Sequence, residues 1–260
     1  MGRRHDACTY DAVMGRRVRL GNAFGIEIAV DSSWVFALIL ATWTLVTLAD
    51  HALPEASSST VTLVGAGAAI GVFASLAVHE IVHGLCVRAC GVPVRRLSLF
   101  LFGGITDAER DPGSPRSELA AAVAAPLANA ILGGVLLAGA AAWSNAASGD
   151  GAHTLALAVR WIGIANIAIA ALNMVPAFPL DAGRVVRAAV WRSTGDVERA
   201  TRWSAWAGEA IGWTVIAAGV VLAFASHGDR VALAMWIALS GWFLTSAAAQ
   251  GYAGILEAKR

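Results

Sequence analysis

Charged side chains are scarce in this sequence. Asp, Glu, Lys and Arg make up only 14% of its 260 residues, against 57% hydrophobic. Soluble domains carry about 25% charged residues, so the scarcity excludes an ordinary soluble domain and points to a polytopic membrane protein. Cysteine is nearly absent too. Cys8, Cys86 and Cys90 make no disulfide framework, and Cys86 and Cys90, four apart, lack the C-x-x-C spacing of a zinc ribbon. They read as reduced packing residues. The first twenty residues are basic and polar with no apolar stretch, so no cleavable signal is expected. No internal repeat and no second, soluble domain are visible. The net charge of +1 gives no reason to expect a nucleic-acid partner.

What is present is a series of long apolar runs. A polar arm, residues 1–31, ends in Gly25-Ile26-Glu27-Ile28-Ala29-Val30, which alternates like a short strand. Apolar runs follow at residues 32–49, 61–89, 118–142, 154–175, 203–225 and 231–250, each long enough to span a bilayer. Between the second and third, Arg95-Arg96-Leu97-Ser98-Leu99-Phe100-Leu101-Phe102 alternates weakly before Gly103-Gly104. This predicts a β-hairpin or re-entrant loop at the membrane face. Pro176 and Pro179 stop the fourth run, and residues 181–202 read as an Arg-rich interfacial helix with Trp191 at its boundary. The expected fold class is therefore an all-α polytopic membrane protein. It would have about six transmembrane helices and a small membrane-embedded β-hairpin, in a single integral-membrane domain over residues 1–260. With the N-terminus in the cytoplasm, seventeen of the nineteen Lys and Arg residues fall on the cytoplasmic side; Arg160 and Arg230 are the exceptions. Both termini are then cytoplasmic, and the second and fourth spans run in parallel from outside to inside.

Chemistry concentrates in His79-Glu80-Ile81-Val82-His83-Gly84, inside the second run. Four residues advance a helix by about 400°, so His79 and His83 share one face with a rise of about 6 Å. Two imidazoles so placed can bind one Zn²⁺, with Glu80 as general base for the attacking water. Such groups in a hydrocarbon layer are costly, which favours a functional site. The competing reading is a hydrogen-bonded pair of core histidines with a snorkelling Glu80. A third ligand must be polar and lie at the same depth, in the cytoplasmic third of the bilayer. Asp181 meets both conditions, because the prolines before it free the chain to turn a carboxylate inward. Its alternative role is to cap the following helix. Asp107, Glu109 and Asp111 are rivals in a loop that reads as solvated. His51, His153 and His227 lie in outer loops, too far away on this topology, and His5 is in the arm.

Gly67, Gly71, Ser75, His79 and His83 recur every four residues, a small-residue face that leads to the ligands. The third run repeats it with Ala121, Ala125, Asn129 and Gly133; the fourth has Gly163, Asn166, Ala170 and Asn173. Asn129 and Asn173 could donate hydrogen bonds to a peptide carbonyl or its oxyanion. Equally, these amides could be interhelical glue, a reading that is stronger for Asn166.

Four ordered motifs carry a resemblance. They are His79-Glu80-Ile81-Val82-His83-Gly84, Leu99-Phe100-Leu101-Phe102-Gly103-Gly104, Ala125-Pro126-Leu127-Ala128-Asn129, and the run from Asn173-Met174-Val175-Pro176 through Asp181-Ala182-Gly183-Arg184, with Phe24-Gly25-Ile26 as a lead-in. The chain resembles the site-2 protease family of intramembrane zinc metalloproteases, in particular its bacterial sporulation-factor-protease-like branch. The resemblance implies one zinc per chain on His79, His83 and Asp181, with Glu80 as base. It implies hydrolysis of a peptide bond in or near a transmembrane helix of a membrane-protein substrate, as in regulated intramembrane proteolysis. A bacterial inner membrane would be the setting, with the bilayer and the substrate helix as partners. Two positions depart from the family pattern: Ala182 stands where Asp-Gly-Gly is usual, and Ala125 where Gly-Pro is usual. Relatives often carry a regulatory soluble domain after the last span; none is expected here. The alternative is a non-proteolytic membrane protein, either a metal carrier or an inactive relative that holds helices. A carrier would want several ligand sites, and an inactive relative would normally have lost Glu80 or a ligand. A membrane zincin acting outside the hydrocarbon layer would need a large soluble chamber.

Overall fold

The computed structural model describes residues 17–100, 103–108, 113–146, 150–226 and 230–257. The chain folds as two compact units. The first comprises residues 1–111 and 127–170, the second residues 112–126 and 171–260. Two of the three boundaries, 126/127 and 170/171, fall inside helices, α3 (Pro115–Ala146) and α4 (Asp150–Asn173).

The first unit begins with two strands, β1 (Arg17–Ala23) and β2 (Ile26–Asp31), paired antiparallel. Phe24 and Gly25 join them with φ of 52° and 76°. Both positive angles match the two-residue turn whose twist suits a hairpin. The Phe24 carbonyl accepts a hydrogen bond from Arg88, which ties the turn to the end of the second helix. The Asp31 carboxylate then accepts from the Ser33 N–H at 2.9 Å and starts α1 (Ser32–Ala52). Ser57 caps α2 (Ser58–Ala89) in the same way through the Thr60 N–H. At 32 residues, α2 is about 48 Å long, well beyond the roughly 30 Å of a hydrocarbon layer. Gly91, at φ 80°, ends it as a left-handed residue past the C-cap.

After α2 come β3 (Val94–Phe100) and β4 (Gly103–Ala108), an antiparallel pair. The expected hairpin is therefore present, but it is half of a larger sheet. β3 also pairs in parallel with β2, which gives the order β1-β2-β3-β4. Arg96 meets Glu27 across that parallel pair at 2.8 Å. Ile26, Leu97 and Leu99 are almost wholly buried, and Gly84 of α2 lies beneath Leu97 and Ile26. The all-α expectation is thus corrected to a mostly helical fold with a four-stranded sheet. Its first strand comes from a segment that reads in sequence as a polar arm. Residues 1–16 of that arm, together with Leu101, Phe102, Glu109, Asp111, His5 and His227, lie outside the described residues.

Within the same unit, Ala49, Val61 and Val64 bury the joint of α1 and α2 against Ala158 and Trp161. A methyl group on Gly133 would lie 2.9 Å from the Gly163 carbonyl oxygen, so only glycine permits this approach of α3 and α4.

The second unit holds the start of α3, then α5 (Asp181–Thr194), α6 (Val197–Ala225) and α7 (Val231–Glu257). Gly195, left-handed at φ 71°, ends α5, and Asp196 caps α6 through the Glu198 and Arg199 N–H groups. The expected helix over residues 181–202 is therefore two helices, and the fifth apolar helix begins six residues early. Gly212, Gly219 and Gly241 let the backbones of α6 and α7 approach closely. Glu118, fully buried, forms an ion pair with Arg187, and the Ser204 hydroxyl donates to the Gly183 carbonyl at 2.6 Å.

Five helices, α1 to α4 and α6, are long and apolar enough to cross a membrane by length and composition. The expected sixth span falls in α7, whose apolar stretch among the described residues is shorter, Leu233–Ala249. The fourth helix stops at Asn173, two residues short of its expected end, because the residue before Pro176 is held out of helical geometry.

Candidate active site

His79, Glu80 and His83 all lie on α2, in the first unit. Both histidines are buried, at 4% and 5% exposure, as the four-residue spacing requires for a face turned into the protein. Their ring centroids are 4.9 Å apart and their planes cross at 79°. Glu80 is half-buried and lies against Gly104 of β4, where a methyl group would come within 2.3 Å of its carboxyl carbon. The glutamate therefore does not snorkel away from the histidine face; the sheet covers it.

A run of polar contacts extends from His79 through the same unit. Its Nδ1 is 2.8 Å from the Asn129 Oδ1 on α3. The Asn129 amide donates to the Asn166 Oδ1 on α4 at 2.8 Å. The Asn166 amide donates to the Ser75 Oγ and to the Ile162 carbonyl, both at 2.8 Å. The Ser75 hydroxyl in turn donates to the Gly71 carbonyl at 2.8 Å. Asn129, Asn166 and Ser75 are all buried. Asn129 is thus joined to a histidine, and Asn166 is bound into the same network. The small-residue face of α2 foreshadows Ser75, which lies four residues before His79. Nothing in the sequence marks Gly104 as the neighbour of Glu80.

In the second unit, Asp181 is buried at 5% exposure and is the first residue of α5. The N-cap position falls on Leu180, which makes no side-chain capping bond. Asn173, half-buried, is the last residue of α4. A methyl group on Gly183 would sit 2.5 Å from the Phe178 backbone nitrogen, so this glycine is required by packing. Of the rival carboxylates, Asp107 is exposed.

Comparison with known proteins bears on these residues. Residues 67–146 match Peptidase family M50. A protein of Synechocystis sp., named as a zinc metalloprotease, is 33% identical over 235 residues, covering 89% of this chain and 58% of that one. The Rip3 protein of Mycobacterium tuberculosis, also named as a zinc metalloprotease, is 34% identical over 234 residues, covering 89% of this chain and 57% of its own length. The chain thus spans under three-fifths of the length of these relatives. In structure, it resembles the Site-2 Protease from Methanocaldococcus jannaschii, with a TM-score of 0.58 at 21% identity over 91% of this chain and 95% of that one. That last likeness is one of fold. With the histidine pair inside it, residues 67–146 are a Peptidase family M50 segment, the site-2 protease family.

Proposed function

We propose that this chain is an intramembrane zinc metalloprotease that hydrolyses a peptide bond in or near the transmembrane segment of a membrane-protein substrate. The observation that carries the reading is the buried His79–His83 pair with Glu80 beside it, on a helix apolar enough to span a membrane. The sequence reading adds Asp181, buried in the second unit, as the third ligand. Two imidazoles and one carboxylate fit zinc, whose catalytic sites take three protein ligands and keep one position open. When bound, zinc supplies a Lewis acid that polarises a carbonyl and acidifies water. Glu80 takes the proton of the attacking water and returns it to the leaving amine.

A substrate helix must unwind before its carbonyls can react, and an added strand would hold it unwound. Neither β2 nor β3 can receive it, because both are flanked by strands on either side. β4 is a free edge of the described sheet, and through Gly104 it also borders Glu80. Substrate addition to β4 would bring the extended segment beside the base. On the charge asymmetry of the sequence, both termini are cytoplasmic and the site lies in the cytoplasmic third of a bacterial inner membrane.

The test is the metal content and activity of purified protein. About one zinc per chain is expected, lost in His83→Ala and Asp181→Ala. Glu80→Gln should keep its zinc and fail to cut a transmembrane segment that the wild type cuts. Full zinc in Asp181→Ala would remove the third ligand. A metal-free wild type would replace the protease reading with a helix-binding one.

A further inference from the structure

The polar run from His79 has a defined direction. The Ile162 carbonyl can only accept, so the atom of Asn166 facing it is the amide nitrogen. The Ser75 proton is already given to the Gly71 carbonyl, so Ser75 must accept the second Asn166 hydrogen. Both amide hydrogens of Asn166 are then used, and its oxygen faces Asn129. Asn129 must present its nitrogen to that oxygen and therefore its own oxygen to His79. An amide oxygen only accepts, so Nδ1 of His79 carries the proton. Neutral imidazole with a protonated Nδ1 keeps its lone pair on Nε2.

We infer that Ser75 and Asn166 are positioning residues which, acting through Asn129, hold the proton on Nδ1 of His79 and leave Nε2 as its metal-binding atom. Asn129 is the orienting partner of a ligand in this scheme rather than an oxyanion donor. Three helices contribute: Ser75 from α2, Asn129 from α3 and Asn166 from α4. The contacts that join Ser75, Asn166, Asn129 and His79 are buried, where an unmatched donor or acceptor is costly, so the alternative amide orientations are disfavoured together. The inference rests on the metal-centre reading only for its use; the tautomer itself is a property of the metal-free chain.

Nitrogen-15 spectroscopy of ring-labelled, metal-free protein tests it, at a pH where the ring is neutral. The His79 signals are identified by their loss in His79→Gln. Wild type should show a protonated Nδ1; a protonated Nε2 as the main form overturns the inference. Asn166→Leu leaves Asn129 free to turn over, so it should shift the ring towards a protonated Nε2. It should also weaken zinc binding by about 10–100-fold, the usual cost of losing an orienting partner. Asn129→Asp combined with Asn166→Leu is the decisive variant. A carboxylate presents an acceptor to Nδ1 whichever way it turns, so the protonated Nδ1 and most of the zinc affinity should return. Glue between helices predicts no such rescue, and its absence in a folded double variant overturns the relay. If Asn166→Leu fails to fold, the wild-type spectrum still decides. A protonated Nδ1 in a wild type that binds no zinc would refute the metalloprotease reading and leave the relay standing.

Discussion

Gly104→Ala isolates the general base from everything else in the first unit. The new methyl group would lie 2.3 Å from the Glu80 Cδ, 2.4 Å from its Cγ and 2.6 Å from its Oε2. Ordinary contact begins at 3.4 Å, so the carboxylate must retreat by about 1.1 Å. The colliding atoms are the far end of a flexible side chain, and the retreat is therefore cheap in folding free energy. Stability should stay within about 0.5 kcal/mol of wild type. Catalysis should not. A misplacement of about 1 Å costs on the order of 100-fold, which is about 2.7 kcal/mol of barrier. The assay compares cleavage of a transmembrane segment that the wild type processes, with zinc content and thermal unfolding measured on the same preparations. The expected pattern is normal zinc, normal unfolding and a rate down by about 100-fold. Activity within about threefold of wild type would refute the reasoning, because Glu80 would then not act from its place against β4. A variant that lost its zinc as well would show that Gly104 supports the metal centre rather than the base.

The second unit offers two further tests. Arg187→Leu removes the ion pair of Arg187 with the fully buried Glu118 carboxylate and should destabilise by about 3–5 kcal/mol. Adding Glu118→Leu should recover most of that loss in a denaturant titration, and no recovery would mean the pair is not the cause. Ala182 and Gly183 make a contrasting pair. Gly183→Ala drives a methyl group into the Phe178 backbone and should lower the unfolding midpoint and the soluble yield, whereas Ala182→Gly, which removes one methyl near the start of a helix, should cost no more than about 1 kcal/mol. Equal effects at the two positions would contradict the packing described for this turn.

Much of the site was legible because it is local. The spacing of His79 and His83 places them on one helical face whatever surrounds the helix. The scarcity of charge marks the apolar helices. The alternation of residues 26–30 is a strand signal of the same short range.

What sequence reading missed depends on groups far apart in the chain. Whether β2 and β3 are edges or interior strands is decided by their parallel pairing, which joins residues about seventy positions apart. Pattern within one strand carries no record of its neighbours, and in β1 the alternation of Arg17-Val18-Arg19-Leu20 is only four residues long before Gly21. Gly104 matters because β4 folds back onto α2, and a glycine reports only that a side chain is missing, not what fills the space. Asn166 looks like interhelical glue until its partners are known. The direction of a hydrogen-bond run is set by its terminal acceptor, here the Ile162 carbonyl, and no single residue along it encodes that direction. Sequence alone determined which residues could do the chemistry, because their type and helical spacing are intrinsic to the chain. Tertiary structure decided how they are held, because orientation is a property of contacts, and those contacts join three helices and a sheet.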